Sequence, residues 1–173
     1  MPAPYSSKAV ANSILQLCRA HGISDVSPMK LQKLIYYAHA WHLAFLGTPL
    51  IREEVQAWKF GPVIEDIYFA FKEFGNSTIT NNATELSFNT NGLQLFTPYV
   101  DAEDANANGL LSEIIRIYGP YSPIQLSNLT HADDEPWRIV ASQYKEELPR
   151  NIEIPNSLIE SIFKNRLAGQ ANG

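Results

Sequence analysis

The chain has 173 residues, 45% of them hydrophobic, a formal net charge of −5 and one cysteine. This length suits one domain that buries roughly 70% of its unfolded surface, which excludes a disordered chain or a disulfide scaffold. The negative charge argues against a general nucleic-acid binder, which needs clustered lysine and arginine, and no run approaches the ~20 apolar residues of a membrane span. The N-terminal stretch lacks the basic and apolar regions of a signal peptide, so a cytoplasmic location is expected.

A first helix is predicted over about Ser6 to Ala20. Val10, Ile14, Leu17 and Cys18 share one face, and Gly22 is the stop. Cys18 reads as a small buried apolar residue. Ser27-Pro28 opens a second helix, since serine caps free amides and proline at the first helical position loses no bond. Leu31, Leu34, Ile35, Ala38, Trp41, His42 and Phe45 form its inner face. Lys30, Lys33 and Tyr37 fall on other faces and are expected to be exposed. Gly47 and Pro49 end the helix.

Val55 to Trp58 reads as a short strand, broken by Gly61-Pro62. A third helix is predicted from about Pro62 to Phe74, with Ile64, Ile67, Tyr68 and Phe71 inward. The polar segment from Asn76 to Asn91 is either a surface loop or part of a hairpin. In the hairpin, residues 85–88 and 93–96 alternate around Asn91-Gly92. Asp101 to Tyr118 is predicted helical, with acidic residues at its start and Leu110, Leu111, Ile114, Ile115 and Ile117 in the core. Ser122 and Gln125 have capping-box spacing for a short helix to about Thr130. Another helix begins near Trp137. The last runs from Pro155 to Leu167 with Leu158, Ile159, Ile162 and Phe163 inward, and residues 168–173 are expected to fray.

No grouping demands chemistry. His39 and His42 lie three apart on a helix, but a zinc site needs a third ligand, for which only His131 or Asp133 offers itself, so no metal is expected. Asp133-Asp134-Glu135 precede a proline, where capping and solvation explain them. No phosphate loop or dinucleotide fingerprint occurs. The turn Trp58-Lys59-Phe60-Gly61-Pro62 remains. Its aromatics are either core staples or a rigid anchor for a partner.

The runs VANSILQL, SPMKLQKLIYYAHAWHLA, EEVQAWKFGPVIEDIYFAFKEFG and LSNLTHADDEPW, in this order over about residues 6–137, resemble the Panacea-domain family of SocA-like antitoxins and phage-associated proteins. The resemblance implies a mainly helical domain that neutralises a toxin by direct protein contact. One founding member of the family instead delivers its toxin to an ATP-dependent protease. The family offers no catalytic residues to carry over, and the added DNA-binding region that some members have is not expected in these 173 residues.

The expected architecture is a single mainly α domain over residues 1–173, with a small β element at 55–58 and the alternative hairpin at 85–96. The expected role is an antitoxin, not an enzyme, with no cofactor and no metal. Its partner is a cognate toxin, with a protease unfoldase as a second partner if it acts as an adaptor. Neither membrane nor nucleic acid is an expected partner. A phage-derived enzyme of unknown reaction is the remaining alternative. The expected partner-binding residues are Lys30, Lys33, Tyr37, Trp58, Lys59, Phe60, Gly61 and Pro62.

Overall fold

The computed structural model describes residues 2–144 and 147–171. Its axis is α2 (Pro28–Leu46), whose residues 30–40 are all buried. Four helices enclose it: α1 (Ser7–Ala20), α4 (Ala105–Tyr118), α5 (Pro123–Thr130) and α7 (Asn156–Ala171). A helix covered on every side has no polar face to show water. This corrects the expectation that Lys30, Lys33 and Tyr37 are exposed; they are 0%, 2% and 2% accessible. Leu34, Ile35, Ala38, Ile67, Phe71, Leu111, Ile114, Ile115 and Trp137 are buried as expected, while Trp41 is only partly so. Phe45 and Ile117, expected to face inward, are instead exposed, at 60% and 45%.

The helix boundaries follow local chemistry. Ser6, Ser27 and Asp104 each accept a bond from an amide of the first turn of α1, α2 and α4. The last of these starts α4 at Ala105, later than the predicted Asp101. Gly47 closes α2 in the left-handed conformation, with φ of 69°. Ser122 and Gln125 complete the capping box of α5. The C-terminal helix extends to Ala171, so residues 168–171 are helical where fraying was expected; residues 172–173 lie outside the described chain.

β1 (Val55–Trp58) is the middle strand of an antiparallel sheet ordered β2-β1-β5, with β2 at Gly61–Val63 and β5 at Glu153–Ile154. Gly61-Pro62 therefore does not break the strand. It pairs back on it, Trp58 opposite Gly61 and Ala57 opposite Pro62, around a two-residue turn of Lys59 and Phe60. Proline fits because β2 is an edge strand and needs no outward donor. α3 (Glu65–Phe71) consequently starts three residues later than predicted and ends in a short 3-10 turn over Lys72–Phe74. β3 (Glu85–Asn89) and β4 (Gly92–Phe96) form the hairpin, with Thr90 and Asn91 in the turn and Gly92 closing it at φ of 94°. α6 (Pro136–Ala141) packs between α5, α7 and the three-stranded sheet.

Candidate partner-binding turn

The fold brings three separated blocks of sequence together: the Lys33 region of α2, the turn after β1, and the segment from Thr130 to Arg138. The Lys33 amine lies under the turn and donates to the carbonyls of Phe60 (3.2 Å) and Pro62 (3.3 Å). Among the described residues it has no carboxylate partner. Burial pulls its pKa down to about 8, because an ammonium loses its hydration there, yet leaves it chiefly charged at pH 7. Gly61, at φ of +117°, has no room for a side chain. A Cβ there would sit 2.6 Å from the Lys33 amine, 3.1 Å from Thr130 Oγ1 and 3.3 Å from His131 Cε1.

The third block braces the other end of the turn. Trp137 Nε1 donates to the Trp58 carbonyl at 2.7 Å, and the His131 ring packs 4.2 Å from the Trp137 indole. Thr130 Oγ1 and His131 Nδ1 both donate to the Ser127 carbonyl. Arg138 lies over the indole at 5.4 Å and donates from Nε and Nη2 to the His131 carbonyl. The backbone of the turn is thus held at the Trp58 carbonyl by Trp137 and at Phe60 and Pro62 by Lys33 beneath it.

Its outer surface is free. Phe60 is 65% exposed, and the Lys59 amine lies 5.3 Å from the centre of its ring. Trp58, half-buried, packs on Tyr68 at 5.0 Å, and Tyr68 on Phe69 at 5.3 Å edge-to-face. Trp58, Lys59, Tyr68, Phe69, Trp137 and Arg138 line one side of an open groove of about 1130 Å³. Exposed aromatics around a fixed turn are the composition of an interface anchor.

The expected site residues therefore divide. Lys59, Phe60 and Trp58 form the accessible face. Gly61, Pro62 and Lys33 lie beneath it as support. Lys30 is elsewhere, donating to Asp25 Oδ1 (2.6 Å) and the Gly119 carbonyl (2.7 Å). Tyr37 lies one turn further along α2, its ring stacked on Tyr118 at 4.2 Å. Tyr68, expected to face inward, is instead 44% exposed, and Phe69 beside it, which the sequence reading did not single out, is 56% exposed; both lie off the buried face of α3.

The two histidines of α2 are spoken for. The Ile51 amide donates to His39 Nδ1 at 3.4 Å, so Nε2 carries the proton and donates to Asn156 Oδ1 at 2.8 Å. Burial lowers the His39 pKa to about 4. His42 Nδ1 donates to the Thr48 carbonyl. Among the described residues, no three His, Cys, Asp or Glu side chains cluster as metal ligands, and no helix is long and apolar enough to cross a membrane. Glu135 corrects the reading of the acidic run as solvated. It is 6% exposed, makes no capping bond, and accepts from Arg166 Nη2 at 3.0 Å.

The family model for the SocA-like antitoxins, the Panacea domain, matches residues 31–138, and the chain belongs to that family. It is 30% identical over 163 residues to the protein named Antitoxin SocA from Caulobacter vibrioides (strain NA1000 / CB15N), across 94% of this chain and 85% of that one. No solved structure matches it. The matched region contains all three blocks that meet at the turn.

Proposed function

We propose that this protein is the cytoplasmic antitoxin of a toxin–antitoxin pair and silences its toxin by stoichiometric protein contact through the turn of Trp58 to Pro62. The observation that carries the role is the likeness to Antitoxin SocA along nearly the whole chain. The surface is inferred from the residues. Phe60 is an apolar anchor on a turn already held in place, so little conformational freedom is lost when it docks. Lys59 and Arg138 at the edge steer an acidic patch on the partner. The role requires no catalytic group, cofactor or metal.

The test is rescue of growth. The chain is co-expressed with the protein encoded beside it, as wild type and as Lys59→Glu, Phe60→Ala and the combination. Loss of one anchor of this kind costs ≥2 kcal/mol, roughly thirtyfold in affinity. The wild type should rescue and the double variant should not, at equal soluble levels. Full rescue by the double variant would remove the turn from the account; failure of the wild type would remove the role. Repeating the assay in cells lacking each ATP-dependent protease separates two modes. Rescue that persists means blocking, and rescue that vanishes means delivery to proteolysis by an unfoldase.

A further inference from the structure

The hairpin of β3 and β4 carries its apolar side outward. Leu86 pairs with Leu95 and Phe88 with Leu93, so these four side chains share one face of the hairpin. They are 63%, 69%, 84% and 64% exposed. On the opposite face it is the polar Glu85 and Ser87 that are half-buried. An antiparallel sheet with one covered face ordinarily turns its apolar side inward. Among the described residues, no helix or other strand packs substantially on β3 or β4. The hairpin is nevertheless held at its root. Asn12, fully buried in α1, donates to the carbonyls of Ala83 and Pro98, both at 2.9 Å, and accepts from the Ala83 amide at 2.8 Å. One side chain thus ties the two legs together, and Ser13 Oγ accepts from the Val100 amide at 3.0 Å just beyond. A face carried on clamped legs loses little conformational freedom when it docks.

Charge and area say what covers this face. Glu85 is the only charged residue from 76 to 100, in a chain of net charge −5. Two copies of an acidic chain repel, and a face without charge is where they meet without setting like charges opposite one another. A two-fold contact must also be self-complementary, and an uncharged face of leucine and phenylalanine pairs packs on itself. The four side chains offer roughly 500 Å² per copy, or about 1,000 Å² across a pair, which reaches the least that a specific interface needs.

We infer that a second copy of this chain packs on this face, hairpin on hairpin, with Leu86, Phe88, Leu93 and Leu95 of each copy meeting about a two-fold axis. The inference stands apart from the role of the turn, since the hairpin shares no residue with the groove beside it.

Sedimentation equilibrium of the full chain over a wide concentration range tests it. The weight-average mass should climb from 19.4 kDa and level off at twice that, with Kd on the order of 1–100 µM for an interface at the small end of the range. Leu93→Lys and Leu93→Glu change an exposed side chain, so each should melt within about 2 °C of wild type at concentrations where the chain is monomeric. Each alone sets like charges across the axis and should associate at least ~30-fold more weakly. Mixed in equal amounts, the two should associate again, because lysine then faces glutamate. A wild type that stays at 19.4 kDa at every concentration, single variants that associate as wild type does, or a mixture that does not associate would each overturn the assignment. A mass that climbs past two copies without levelling off would overturn the closed two-fold contact. A monomeric wild type whose binding to the product of the neighbouring gene is lost in Leu93→Lys would overturn the second copy and assign the face to that protein.

Discussion

Gly61→Ala isolates the strain on which the turn depends. At φ of +117° an L residue is held in a sparsely populated conformation, at a cost of about 1–3 kcal/mol. The added methyl also enters the space of the Lys33 amine, which would be 2.6 Å away. The lysine head can retreat, but only by loosening its bonds to the Phe60 and Pro62 carbonyls. A charged hydrogen bond contributes about 1.5–3 kcal/mol, so losing part of this pair brings the total to roughly 2–5 kcal/mol. For a chain of this size that lowers the melting temperature by roughly 4–20 °C. Circular dichroism melts measure it directly. Gly109→Ala is the control of opposite sign: Gly109 is inside α4 with nothing within 4 Å, so alanine there should stabilise by about 0.5–1 kcal/mol. Lys33→Met removes the obstructing amine, so it combined with Gly61→Ala should cost less than the two changes summed. A Gly61→Ala protein melting within about 2 °C of wild type, or strictly additive costs in the pair, would refute the reasoning.

The remaining predictions concern charge and burial. Lys59→Glu should leave the melting temperature within about 2 °C, as exposed substitutions do, whereas Lys33→Glu puts an anion against two carbonyls and should cost 3–5 kcal/mol or more, read by the same melts. His39 is neutral in the fold with a pKa near 4, against 6.5 unfolded. Its contribution to stability is complete above about pH 6.5 and is lost as pH falls toward 4, up to about 3 kcal/mol, and urea titrations across that range should show a shallower slope in His39→Gln. Cys18 is buried and its thiol is pushed up to about 11, so an aromatic disulfide reagent should label it only at the rate of unfolding.

Features set by short-range chemistry were legible in the sequence. Ser27-Pro28, the Ser122–Gln125 box and Gly47 each fix a helix end with groups a few residues apart, and all three act as read. The hairpin at 85–96 was one of two open alternatives; it forms, but its alternation buries no face, as Leu86, Phe88, Leu93 and Leu95 stay exposed. What could not be read depends on neighbours distant in sequence. Lys33 falls off the apolar face of α2 and so read as exposed, and nothing local reveals that α5 and β2 will close over it. β5 has two residues and exists only as the partner of β1. Glu135 looked like one of three solvated acids, but Pro136 turns the chain so that α6 carries it inward toward Arg166, 31 residues away. The turn of Trp58 to Pro62 was singled out for its aromatics, while the reason it is rigid lies in Lys33, Thr130 and Trp137.

The central claim is that the braced turn grips a toxin. Isothermal titration of the protein with the purified product of the neighbouring gene tests it most directly. The wild type should saturate near one to one, and Phe60→Ala with Lys59→Glu should bind at least ~30-fold more weakly while melting at the wild-type temperature. Wild-type affinity in that folded double variant would contradict the account.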